Sequence, residues 1–195
     1  RLFLAPGDNI ILPTPTFGMY AFSAEVVGGR AISVPRTSGF EIDEQAILTS
    51  IDSHTKAIFF ASPNNPTGNT ASAKQIRTLL DTGVIVVVDE TYYEFCGQSS
   101  LNLLSEYENL IILRTFSKWA GLAGLRIGLG VMSESLAGTM MSMKPPYNVN
   151  LAAEVALTAS LEDRETLMTR VDAIVQERSR LMANLSSIPN VKPYP

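Results

Sequence analysis

The sequence predicts an α/β protein, a three-layer sandwich built around a mostly parallel mixed sheet. Three observations predict it. Short β-branched runs alternate with amphipathic segments as far as Met132, the pattern of parallel strands joined by crossover helices. The run Val84-Ile-Val-Val-Val88 has no polar alternation, so both its faces must be covered and it belongs at the centre of the sheet. Residues able to do chemistry follow the strands, as expected where ligands bind beyond the carboxyl ends of an open parallel sheet.

Taken in order, strands are expected at Asn9–Pro13, Ala31–Pro35, Lys56–Ala61, Val84–Asp89, Leu110–Thr115 and Arg126–Met132. Helices are expected between them near Thr16–Val27, Asp43–Ile51 and Ser72–Asp81, the last capped by Ser72. After Ser133 only helices follow: Ser133–Lys144, ended by Pro145-Pro146, then Asn150–Glu162, then Arg164–Ser187. The last shows an apolar stripe of Leu167, Val171, Ile174, Val175, Leu181 and Leu185 opposite a charged face, and its length suits a helix between two domains. We therefore divide the chain into a large domain over 1–147, present in part, and interdomain helices with the start of a small domain over 148–195.

Composition narrows the function. With 195 residues, 46% hydrophobic and 17% charged, the chain is ordinary for a globular protein and long enough for one core. A net charge of −4 without any Lys/Arg cluster gives no footprint for nucleic acid or an anionic membrane. No apolar run approaches the roughly 20 residues needed to span a bilayer. One Cys makes no internal disulfide, so a reducing, cytoplasmic setting is expected, and one Cys with one His argues against a zinc site. The chain opens at Arg1 without Met and stops at Lys192-Pro-Tyr-Pro195, as a piece of a longer protein would.

Three neighbouring strand ends carry unlike groups. After Lys56–Ala61 comes Ser62-Pro-Asn-Asn-Pro-Thr-Gly68; after Val84–Val88 comes Asp89-Glu-Thr-Tyr-Tyr93; after Leu110–Leu113 come Arg114-Thr-Phe-Ser-Lys-Trp119 and Gly121-Leu-Ala-Gly-Leu-Arg126. An amide, an acid with a phenol, and a lysine among hydroxyls suit a small, multiply charged aromatic cofactor. Pyridoxal 5′-phosphate (PLP) needs a lysine amine, an anion at its ring nitrogen, donors at its phenolate and a cationic phosphate pocket. Lys118 can supply the amine, and desolvation between Ser117 and Trp119 is expected to aid its chemistry. Asp89 can hold the ring nitrogen protonated. Asn65 and Tyr92 can donate to the phenolate, and Arg126 with Thr115 and Ser117 can hold the phosphate.

Asn64-Asn-Pro-Thr-Gly68, Asp89-Glu-Thr-Tyr92 and Thr115-Phe-Ser-Lys118, with Arg126 eight positions after the lysine, resemble the class I/II aminotransferases of PLP fold type I. Pro15-Thr-Phe-Gly-Met-Tyr20, Lys118-Trp-Ala-Gly-Leu-Ala-Gly-Leu-Arg126 and Pro146-Tyr-Asn-Val-Asn150 are similar to the histidinol-phosphate aminotransferase subfamily. The resemblance covers the whole chain and implies the large domain of a PLP-dependent transferase, with Arg126–Met132 antiparallel. It implies Lys118 as catalytic residue and cofactor anchor, and Phe17, Asn65, Asp89, Tyr92, Thr115, Ser117 and Arg126 as cofactor ligands. Phe17 takes the place of a ring stacked on the cofactor. The implied reaction is reversible amino transfer between L-glutamate and 3-(imidazol-4-yl)-2-oxopropyl phosphate, in L-histidine biosynthesis, by a homodimer acting on small amino and keto acids. A tyrosine lent by the partner and the arginine for the substrate carboxylate lie outside the 195 residues, so this segment alone is expected to be inactive.

Other readings of the same residues remain. A threonine-phosphate decarboxylase or an aromatic aminotransferase shares these motifs, and a non-catalytic domain could keep the fold. An apolar strand ending in Asp-Glu also describes the Walker B element of a nucleotide-binding ATPase, although no Gly-x-x-x-x-Gly-Lys-[Ser/Thr] loop occurs in the chain. Asn64–Gly68 taken alone could be a turn, and Arg126 a sheet-edge charge. The glycines at 121, 124 and 128 have the wrong spacing for a dinucleotide loop and read as parts of a tight turn. His54 reads as a surface residue, Cys96 as a small packed residue, and Met140–Met143 as helix packing rather than a redox site.

Overall fold

In the computed structural model, which describes residues 2–194, six strands form one sheet in the order β2-β1-β3-β4-β5-β6. They are β1 (Asn9–Thr14), β2 (Arg30–Pro35), β3 (Thr55–Ala61), β4 (Ile85–Asp89), β5 (Leu110–Thr115) and β6 (Gly128–Met132). All neighbours pair in parallel except β5 with β6, which run antiparallel. The helices are α1 (Met19–Val26), α2 (Glu44–Ser50), α3 (Ala73–Leu80), α4 (Glu134–Met143), α5 (Leu151–Glu162) and α6 (Arg164–Ser186). β4 lies between β3 and β5, as its unbroken apolar run requires, with Val86 and Val88 fully buried.

Alternation along each strand divides the core in two. Ile11, Ile58, Phe60, Val86, Val88 and Ile112 face α2 and α3 and meet Ile47, Ile76 and Leu79. Ile10, Leu12 and Ala57 face the other way, against Tyr20 and Ala24 of α1. Full burial of one such side chain contributes about 1.5–3 kcal/mol. Local signals set the helix starts. Asp43, Ser72, Ser133 and Asn150 each accept a backbone N–H of the first turn, and Ser72 forms a reciprocal capping box with Gln75. A third cluster lies beyond the end of β5, where Phe116, Trp119 and Ala120 pack on Ala153 of α5 and Val171 of α6.

Four expectations need correction. β6 begins at Gly128, not Arg126, because Arg126 adopts a left-handed φ of 57° that a strand cannot contain. α1 begins at Met19, not Thr16, since the chain is still in the turn that leaves β1. Met140, Met141 and Met143 do not pack: they are 39%, 63% and 57% exposed on α4. Of the α6 stripe only Val171 is buried, while Ile174 and Leu181 lie exposed, because nothing in the described chain covers the outer length of that helix. His54 is exposed, and Cys96 is half-buried with its thiol pushed up by that burial, away from the thiolate a nucleophile needs. No helix among the described residues is long and apolar enough to cross a membrane.

Candidate functional site

The sheet order fixes where a site can form. From β1 the chain steps outward to β2 and then returns to the other side of β1 for β3, so the loops leaving β1 and β3 diverge over the carboxyl edge. Asn64, 3% exposed, ties them together. Its side-chain amide donates to the Pro15 carbonyl at 3.0 Å, and its Oδ1 accepts the Thr16 hydroxyl at 2.8 Å. Gly68, with φ of 78°, then closes the loop by donating its N–H to the Asn64 carbonyl at 2.8 Å. That turn presents Asn65 to the space above the sheet.

A cavity of about 350 Å³ occupies this space, a size within the roughly 300–1,000 Å³ of small-molecule sites. All eight residues singled out from the sequence line it: Phe17, Asn65, Asp89, Tyr92, Thr115, Ser117, Lys118 and Arg126. They arrive from four loops and the ends of two strands, and Arg126 joins them only because β6 is antiparallel, so that its start meets the end of β5. The close approach there demands glycine: a Cβ at Gly128 would lie 2.7 Å from the Arg114 carbonyl oxygen. Gly121, at φ of 70°, turns the chain between Lys118 and Arg126. Gly124 is not so constrained, with open space around its Cα.

Each polar group has a defined setting. The Asp89 carboxylate accepts the Thr91 N–H on Oδ1 at 2.9 Å and the Tyr20 hydroxyl on Oδ2 at 2.7 Å. Thr115 Oγ1 accepts the Ser117 N–H at 3.1 Å, which bends the chain toward Lys118. The Lys118 Nζ lies 5.8 Å from the centre of the Tyr92 ring. Lys118 is exposed on the cavity wall, so the desolvation expected for it is not found; its apolar neighbours Phe116 and Trp119 bury themselves on α5 and α6 and turn the amine the other way. Arg126 donates from Nη1 to the Ala123 carbonyl at 2.7 Å and forms no ion pair among the described residues, so its remaining donors are available for an anion. Its left-handed backbone costs on the order of 1–2 kcal/mol, a strain kept at the cavity.

Two features escaped the sequence. Tyr20 lines the cavity one helical turn beyond Phe17, and that spacing was the available signal. Behind the site, Glu90 is 1% exposed and accepts Arg114 Nε and Nη2 at 3.1 and 2.9 Å, the Ser99 hydroxyl at 2.8 Å and the Ser100 N–H at 2.6 Å. Arg114 in turn stacks 3.8 Å over Tyr93. The register foretells this pair, because Asp89 faces Leu113 and the next step sets Glu90 beside Arg114. Glu90→Gln in the full-length protein is expected to cost about 2–3 kcal/mol, since it leaves a half-buried guanidinium without its anion. Urea unfolding followed by circular dichroism measures it; a loss below about 0.5 kcal/mol would mean the pair does not brace these loops.

The architecture is that of the fold-type-I PLP-dependent transferases. A histidinol-phosphate aminotransferase from Clostridium acetobutylicum superposes with a TM-score of 0.86 at 24% identity, covering 96% of this chain and 58% of that one. The aromatic aminotransferase of Pyrococcus horikoshii OT3 superposes at 0.82 with 26% identity, over 99% of this chain and 56% of that one. The family model "Aminotransferase class I and II" matches residues 1–195, and the chain belongs to that family. It is 49% identical over 195 residues to the histidinol-phosphate aminotransferase of Dehalococcoides mccartyi (strain CBDB1), covering 100% of this chain and 54% of that protein. It is 44% identical over 197 residues to the chloroplastic one of Nicotiana tabacum, again across the whole chain and 48% of that protein. The chain spans about half the length of the curated relatives it matches.

Proposed function

We propose that the full-length protein is a PLP-dependent aminotransferase that exchanges the amino group of L-histidinol phosphate with 2-oxoglutarate in L-histidine biosynthesis. One observation carries the chemistry: an amine at 118, a carboxylate at 89, an amide at 65 and an arginine at 126 line a single cavity at the carboxyl edge of the sheet. That donor set fits the cofactor group by group. The substrate rests on the 44–49% identity to proteins named histidinol-phosphate aminotransferase, and a structural neighbour, the histidinol-phosphate aminotransferase of Sinorhizobium meliloti, was solved in complex with pyridoxal-5'-phosphate.

When bound, the cofactor supplies a sink for the electron pair released at the substrate α-carbon. Asp89 holds negative charge at the ring nitrogen, and its two accepted hydrogen bonds keep it oriented. Lys118 would hold the cofactor through Nζ, and the same Nζ would carry the proton of the substrate α-carbon. Asn65 and the Tyr92 phenol donate to the phenolate oxygen. Thr115, Ser117 and Arg126 hold the phosphate, with Arg126 supplying fixed positive charge. Phe17, 46% exposed, would stack on the ring.

The same reading extends to the molecule. Residues 1–147 would form part of the large domain, and 148–195 the interdomain helices and the start of the small domain. Met19, Phe22 and Val26 on α1, with Tyr147 and Leu151 ahead of and within α5, leave large apolar side chains in the open, which supports a homodimer. A cytoplasmic location belongs to the same proposal, and the single cysteine is consistent with it. The test is a steady-state assay of the full-length protein with 2-oxoglutarate and L-histidinol phosphate, L-tyrosine or threonine phosphate. Keto-phosphate formation from histidinol phosphate is expected to dominate. Preference for L-tyrosine would reassign the substrate, and CO₂ release from threonine phosphate would reassign the reaction.

A further inference from the structure

Tyr20 is 9% exposed, and its hydroxyl donates to the same carboxylate that is proposed to face the ring nitrogen. We infer that Tyr20 is a positioning residue that fixes the Asp89 carboxylate for its ionic partner, a role that rests on the cofactor reading above. The two Asp89 oxygens are held independently, Oδ1 by the rigid Thr91 backbone and Oδ2 by Tyr20. Without the second anchor the carboxylate is free to turn about its terminal torsion, which is broad for Asp.

The anchor itself is held firmly. The Tyr20 ring lies 4.3 Å from the centre of Phe59 on β3 and 5.6 Å from that of Phe17, nearly perpendicular to the latter at 81°. It belongs to the first turn of α1, so the sheet, the helix and the cavity-lining Phe17 all set its position. Tyr20 also walls a separate apolar cavity of about 270 Å³ with Ala24, Phe59 and Val87.

The choice of a phenol has a chemical reason. A lysine or arginine at this distance would neutralise the charge that the ring nitrogen needs, whereas a neutral donor orients the carboxylate and leaves that charge in place. Burial first, and then the neighbouring Asp89 charge, push the Tyr20 hydroxyl well above the usual tyrosine range. The group therefore keeps its proton, and remains a donor, at any pH where the enzyme works.

Tyr20→Phe removes the hydroxyl and leaves the ring packing. In the full-length protein with PLP, cofactor affinity by equilibrium dialysis is expected to fall about 10- to 100-fold, the value of a hydrogen bond to a charged group. With ring-¹⁵N-labelled PLP, the nitrogen is expected to lose its proton at a lower pH in Tyr20→Phe than in the parent, a signature that simple packing would not move. In an Asp89→Ala background the same substitution should add no further loss, because the shared partner is gone. Phe59→Leu, which loosens the ring but keeps the hydroxyl, should reproduce part of the affinity loss if Tyr20→Phe fails to fold. Parent-like affinity and nitrogen titration in Tyr20→Phe, or an equal loss in both backgrounds, would overturn the role. A parent that does not bind PLP ends both this inference and the cofactor reading; a parent that binds it while Tyr20→Phe is unchanged ends this inference alone.

Discussion

Lys118→Ala in the full-length protein is expected to lower kcat for transamination by about 10⁴-fold or more while leaving the fold intact. The size follows from two tasks that fall on one atom. In the proposed mechanism Nζ would both anchor the cofactor and move the substrate proton, and among the described residues no second amine lines the cavity. Folding should not suffer, because the side chain is exposed and the buried contacts of its loop come from Phe116, Trp119 and Ala120. Circular dichroism gives the fold and a keto-acid assay gives the rate. Activity within about tenfold of the parent would move the catalytic amine elsewhere.

Asp89→Ala is expected to reduce kcat by about 10³-fold and to release cofactor on dialysis. The carboxylate stands at the end of the central strand, where Val86, Val87 and Val88 are all buried, so its position is set by the part of the molecule least able to move. Charge held this rigidly would serve the proposed cofactor without reorganising. Alanine removes it and leaves the Tyr20 hydroxyl facing a void. Alanine also separates the two tasks at the site: Lys118 still anchors, but the electron sink weakens. Stopped-flow absorbance resolves the two, and an unchanged half-reaction rate would deny Asp89 its role.

Much of this arrangement is legible in the sequence because strand ends announce themselves. An uninterrupted Val84–Val88 run must be central, so the Asp that ends it must lie at the middle of the carboxyl edge, and the same reasoning carries Asn65, Thr115, Ser117 and Lys118 to that edge. Arg126 is harder, since its arrival depends on β6 reversing direction, which the resemblance implied and residue patterning did not. What stayed hidden is tertiary. Tyr20 looks like any aromatic in a first helical turn until β3 and β4 bring Phe59 and Asp89 to it. Glu90 and Arg114 are 24 residues apart and become partners only through strand register. The exposed Met140–Met143 stretch and the open side of α6 failed for the opposite reason: apolar spacing predicts a face that wants cover but does not say what covers it.

In one shared cavity the amine at 118 and the carboxylate at 89 are proposed to meet the same ring. Borohydride reduction of the full-length protein loaded with PLP, followed by peptide mapping, tests this most directly. Reduction should abolish the visible absorbance and leave a stable pyridoxyl group on Lys118, in the peptide that carries Thr115–Trp119. A pyridoxyl group on any other lysine, or none at all, would contradict it.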